Sequence, residues 1–140
     1  MNSLLKSEAI KSSAVVPTDE DILDIVESAL AEDLRSSTLA LTEDLTTYWT
    51  VAPNTSAEAQ IVAKQQGIVA GVNVASTVFK RLDPSMQCTY RVPDGSMVNV
   101  GDNVIDIKGF AHPLLTSERT TLNFLQRLSG TASLTQKFVE

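Results

Sequence analysis

Arg119, Asn123, Gln126 and Arg127 are spaced so that, at 3.6 residues per turn, all four gather with Thr116 on one side of a helix. Guanidinium groups beside side-chain amides suit recognition of a carboxylate or phosphate, because a planar fork meets such an anion through two parallel hydrogen bonds. On pattern alone, a solvated surface is the default account of any polar helical face. Glu118 lies toward the apolar edge of this helix, where it could orient a base or, more commonly, enter an interhelical ion pair. Ser129-Gly130 could offer a hydroxyl and free amides to an anion at a helix start, although local sequence favours simple punctuation. His112 precedes Pro113 with no Ser, Cys or Asp at a recognisable catalytic spacing, and it reads as structural or solvated. Cys88 has no basic residue directly beside it and reads as a buried, inert thiol. Glu32, Asp33, Glu43 and Asp44 have the oxygen chemistry magnesium takes, yet a charged helix end and a loop account for them equally well.

The whole chain narrows these options. Its 140 residues suit one domain able to bury a sizeable core. Hydrophobic residues at 43% and charged residues at 20% exclude both a disordered chain and a membrane protein. A net charge of −6 gives no electrostatic footprint for a nucleic-acid backbone or an anionic membrane, so an anionic ligand needs a local basic site. One cysteine and one histidine exclude an internal disulfide and a zinc module. Residues 1–17 hold no apolar run long enough for a secretory signal core and read as a loose tail. Their Lys6, Glu8 and Lys11 are unlike an arginine-rich, acid-free transit peptide.

The elements that would position these residues follow from periodicity. Thr18 caps a helix predicted over 19–34, with Asp19, Glu20 and Asp21 in its first turn and an apolar stripe of Ile22, Ile25, Val26, Ala29 and Leu30. A loop over 35–47 and a strand start at 48–51 follow. Alternation over 56–64 predicts a strand, Gln66-Gly67 a turn and 68–70 a second short strand. A helix over 74–82 stops at Asp83-Pro84. Strands over 89–92 and 104–108 flank Pro93-Asp94-Gly95 and Gly101-Asp102.

Pro113, as a first helical residue, opens a helix whose apolar side carries Leu114, Phe124, Leu125 and Leu128. Ser129-Gly130 reads as an interruption, after which 131–140 resumes helical spacing. The pattern predicts an antiparallel-rich sheet from 57–70 and 90–108, covered by the helices at 19–34 and 74–82. Glu140 follows with no cap, glycine or proline, so the sequence reads as cut short within a helix. That helix, lacking the domain it should pack against, predicts self-association or poor solubility.

The run from Gly109 to Gly130, with its core Glu118-Arg119-Thr120-Thr121-Leu122-Asn123 and terminal Ser129-Gly130, resembles the signature of the quinolinate phosphoribosyltransferase family, also called nicotinate-nucleotide pyrophosphorylase (carboxylating). Ala31-Glu32-Asp33, Asp44-Leu45-Thr46-Thr47 and Gly67-Ile68-Val69-Ala70-Gly71 resemble further family motifs, as do Pro93-Asp94-Gly95 and Val100-Gly101-Asp102. The resemblance runs in order from about Asp19 to the end. It departs at Glu43, where glycine is common, at Thr131, where isoleucine is common, and in a longer connection from Leu34 to Asp44. It covers only the N-terminal half of the family.

The resemblance implies an α+β fold. It places a flexible tail at 1–17, the family's N-terminal α/β sandwich domain at 18–112, and at 113–140 the helical connection into an open α/β barrel that is missing here. It implies conversion of quinolinate and 5-phosphoribosyl 1-diphosphate to nicotinate mononucleotide, pyrophosphate and CO2 in de novo NAD biosynthesis. Arg119 becomes a substrate-binding residue reaching the quinolinate site of a neighbouring subunit, in a homodimer or higher oligomer with shared active sites. No catalytic residue and no ligand for the implied Mg2+ is expected in this segment, and the chain alone is expected to be inactive. A cytoplasmic protein without nucleic-acid or membrane partners is implied. Three alternatives stand beside this one: a molybdenum-transport-associated pyrophosphorylase-like homologue, a noncatalytic interaction fragment, and a biotinyl or lipoyl carrier. The carrier reading, suggested by the glycine-spaced strands over 90–109 with Lys108 near their end, leaves the arginine-bearing helix unexplained.

Overall fold

Thr18 and Asp21 cap helix α1 (Asp19–Ser36) reciprocally: the Thr18 amide donates to Asp21 Oδ2 at 2.8 Å and the Asp21 amide to Thr18 Oγ1 at 3.2 Å. These bonds from Thr18 hold the Asp21 carboxyl below its ordinary range. The computed structural model describes residues 17–36, 52 and 54–139. The expected tail over 1–16, the loop from 37 and the strand start at 48–51 lie outside the described residues. Residues 35–36, expected in that loop, continue α1.

Strand β1 (Ser56–Val62) follows, then β2 (Gly67–Ile68), helix α2 (Val72–Leu82), β3 (Gln87–Tyr90), β4 (Met97–Val98), β5 (Asn103–Phe110) and helix α3 (Ala111–Val139). The antiparallel sheet has the order β1-β5-β3, with β5 in the middle. Ala57, Ala59 and Ile61 of β1 turn inward beside the fully buried Ile105 and Ile107 of β5. Such residues each contribute about 1.5–3 kcal/mol by burial. The opposite face carries Glu58, Lys108, Asp106 and Arg91. Strands β2 and β4 form a separate two-stranded pair. The pairing extends through Val69, whose amide donates to the Ser96 carbonyl at 2.9 Å and whose carbonyl accepts from the Gly95 amide at 2.8 Å.

Helices α2 and α3 cover the inward face, placing Val72, Ala75 and Phe79 of α2 and Leu114 and Leu125 of α3 in one core with β5. The expectation that α1 also covers the sheet needs correction. Its narrow stripe of Ile22, Val26 and Leu30 packs on Val74, Val78 and Leu82 of α2 and on Phe124 of α3, outside a sheet face those two helices already occupy. Ile25, counted in that stripe, is 54% exposed.

Two expectations for α3 are also corrected. The helix begins at Ala111, so Pro113 stands inside its first turn, where no amide partner is required. It then runs unbroken through Ser129-Gly130. A helical glycine costs about 1 kcal/mol against alanine, and the helix nonetheless continues past it, with Ser129 and Ser133 bonded to the Ala70 and Ile68 backbone.

Candidate functional site

The polar face of α3 is built by what lies behind it. At about 100° per residue, Leu114, Ser117, Thr121 and Leu125 all point within about 60° of the direction opposite Arg119, and all four are buried. Arg119, Asn123, Gln126 and Arg127 are exposed, as the spacing predicts, and Thr116 is half-buried beside them. Two guanidinium groups and two amides therefore stand on one solvent-facing surface of a helix whose other side is fixed in the core.

Hydroxyls fix that helix laterally. The Ala70 amide donates to Ser129 Oγ at 3.0 Å, and Ser129 Oγ donates to the Ala70 carbonyl at 3.2 Å. One turn later, Ser133 Oγ accepts from the Ile68 amide at 2.8 Å and donates to the Ile68 carbonyl at 3.4 Å. Residues four apart on a helix rise about 6 Å, and alternate strand residues lie about 6.6 Å apart, so two hydroxyls can meet one strand edge in step. The approach is close. A Cβ at Gly67 would lie 2.6 Å from Ser133 Oγ, and one at Gly71, which adopts φ +95°, would lie 2.6 Å from Leu128 Cδ1. Ser129 thus anchors the helix, whereas punctuation was expected of it. Ser133 was not singled out by the sequence, since a bond to backbone 65 residues away leaves no local pattern.

On another side, the Thr120 hydroxyl donates to Asp33 Oδ2 of α1. Asp33 falls at helical spacing after Val26 and Leu30, the one signal in the sequence that this acid faces inward. Glu32 beside it is exposed, while Glu43 and Asp44 lie outside the described residues. Among the described residues no three His, Cys, Asp or Glu side chains gather to hold a metal ion.

The remaining candidates lie apart from the polar face. Glu118 is exposed and joins none of the ion pairs found among the described residues. His112 is buried in the first turn of α3. Cys88 sits half-buried on β3, where burial pushes its thiol up against the lowering effects of a Ser76 hydrogen bond and the Lys80 charge. Lys108, the candidate carrier lysine, lies within β5 and pairs with Glu58 Oε1 at 2.8 Å, far from the tight hairpin a carrier would need.

Residues 44–129 match the family model described as quinolinate phosphoribosyl transferase, N-terminal domain. A quinolinate phosphoribosyltransferase [decarboxylating] 1b of Nicotiana tabacum is 32% identical over 143 residues, a match covering 100% of this chain and 39% of the relative. The chloroplastic nicotinate-nucleotide pyrophosphorylase [carboxylating] of Arabidopsis thaliana is 38% identical over 116 residues, 83% of this chain and 32% of that one. The crystal structure of NadC from Streptococcus pyogenes superposes with a TM-score of 0.80 at 35% identity, covering 90% of this chain and 43% of that one. The chain therefore spans about two fifths of the length of the tobacco relative.

Proposed function

This chain belongs to the quinolinate phosphoribosyltransferase family, and we propose on that premise that it is the N-terminal part of an enzyme acting on quinolinate and 5-phosphoribosyl 1-diphosphate. In the proposed reaction the pyridine nitrogen of quinolinate attacks the anomeric carbon of the ribose as pyrophosphate departs. Loss of the 2-carboxylate as CO2 leaves its bonding electron pair on the ring carbon, which takes up a proton from solvent to give nicotinate mononucleotide for NAD synthesis. Arg119 is the substrate-binding residue of this segment, its fork pairing with one carboxylate of quinolinate.

The single observation that carries this role is the direction of Arg119. It projects away from the core of its own domain, so the anion it meets belongs to a site completed by another body. We take that body to be a neighbouring subunit of a homodimer or higher oligomer with shared active sites. Magnesium, implied for the complete enzyme, would be held by groups beyond this segment. A cytoplasmic location is part of the proposal, although the Arabidopsis relative is named chloroplastic. No helix among the described residues is long and apolar enough to cross a membrane.

The test replaces Arg119 in a complete, active protein carrying this segment. Arg119→Ala should reduce kcat/KM for quinolinate by about 2–5 kcal/mol, because a desolvated carboxylate loses its partner. Arg119→Lys should recover only part of that, since charge returns without the fork. Arg127→Ala should matter less. Mixing Arg119→Ala subunits with subunits inactivated in the rest of the chain should restore activity through composite sites. Near-normal kinetics for Arg119→Ala would mean that the face is merely solvated.

A further inference from the structure

The contact between Thr120 and Asp33 differs from the other hydroxyl contacts along α3, all of which engage backbone groups. Ser117, Thr131 and Thr135 each turn their hydroxyl back to the carbonyl four residues earlier, at 2.6, 2.9 and 2.8 Å. Thr120, only 3% exposed, instead reaches another helix through a carboxylate 87 residues away. Asp33 in turn occupies a place where the stripe of Val26 and Leu30 would lead one to expect an apolar side chain. Packing alone does not call for a carboxylate there.

The angular arrangement gives this contact a use. Thr120 and Ser129 project from opposite sides of α3, about 180° apart, and Arg119 projects roughly at right angles to both. One side of the helix is therefore tied to α1 and the other to the backbone of Ala70, two residues past β2, with the arginine on the free flank between them. Rolling the helix by about 10° would move a group at its surface by about 1 Å. A displacement of that size at a reacting centre can cost on the order of a hundredfold in rate.

We propose that Asp33 is a positioning residue for Arg119: by holding the Thr120 hydroxyl, its carboxylate fixes the roll of α3 and so the direction of the guanidinium fork. The inference rests on the reading of Arg119 as the quinolinate-binding residue. A charged acceptor strengthens the tie, since hydrogen bonds to an ionised group are roughly twice as strong as neutral ones.

The experiment uses a complete, active protein carrying this segment and measures kcat/KM separately for quinolinate and for 5-phosphoribosyl 1-diphosphate. Thr120→Val, nearly the same shape without the hydroxyl, should lower the value for quinolinate by about fivefold to twentyfold and leave that for the second substrate within about twofold. Asp33→Ala should behave alike, and Thr120→Ser, which keeps the donor, should restore wild-type values. Introduced into Arg119→Ala, Thr120→Val should cause no further loss, because the residue it aims is gone. Wild-type kinetics for Thr120→Val, or the same loss with and without Arg119, would overturn the role of Asp33 while leaving the reading of Arg119 intact. A silent Arg119→Ala would remove that reading and this inference together.

Discussion

Helix α3 is held in two contrasting ways. Against β2, the serines at 129 and 133 address backbone amides and carbonyls, and the glycines at 67 and 71 let the helix come close. Against α1, the polar tie is one side chain on another, Thr120 on Asp33, beside the packing of Phe124 on the Val26 and Leu30 stripe. A contact with backbone survives any change of side chain in the strand provided the space remains, whereas a contact between two side chains is lost with either. The β2 attachment is thus a rigid reference, and the α1 attachment is the adjustable one.

Substitutions on each side can break or sharpen that contrast. The largest effect on folding should come from Gly71→Ala, which places a side chain at φ +95° and directs its Cβ into Leu128. A loss of about 2–3 kcal/mol in urea unfolding is expected from left-handed strain and crowding together. An unchanged midpoint would show that the helix does not need this close approach.

Next comes a pair. Gly67→Ala alone should cost about 1–3 kcal/mol through overlap with Ser133 Oγ. In a Ser133→Ala background the same change should cost less than half as much, a coupling read from the double-mutant cycle. Additive losses would mean that β2 and α3 are not in the contact described.

The smallest effect belongs to the contact of α1 with α2, which supports α3 only indirectly. Glu27 accepts from Arg81 of α2 at 2.8 Å with both side chains about half exposed, so Glu27→Gln should cost about 0.2–1 kcal/mol. The difference should shrink in 1 M salt, where screening acts within about 3 Å. A larger, salt-independent loss would show that the seam between α1 and α2 is held by a desolvated ion pair rather than by the apolar stripe.

The sequence shows some of this arrangement and hides the rest for definable reasons. The α1 start is legible because Thr18 and Asp21 are three residues apart, and β1 because its inward alanines alternate with polar residues. A short strand is legible at 68–70 near β2, but β4, two residues long, is too short to show a period, so the separate pair is not legible and the pattern predicts one sheet. The exposed direction of Arg119 follows from helical spacing, whereas its proposed substrate came from family resemblance. Ser129-Gly130 misleads because the glycine is a local signal of interruption and the serine bonds backbone 59 residues away. Asp33 shows its inward direction by helical spacing, but its partner Thr120 lies 87 residues away and nothing local pairs the two.

One more long-range bond bears on the order in which the chain folds. Gly71, at the start of α2, offers no side-chain cap, and the Val72 amide donates instead to Asp94 Oδ1 at 2.9 Å, 22 residues ahead. An 11-residue helix is marginal by itself in water, and although the Ala75 amide donates to the Gly71 carbonyl at 2.9 Å, the side-chain cap of this one comes only from a later turn. Closing that loop has an entropic cost that local capping avoids. Helix α2 and the turn at Asp94 are therefore expected to gain and lose amide protection together in hydrogen exchange.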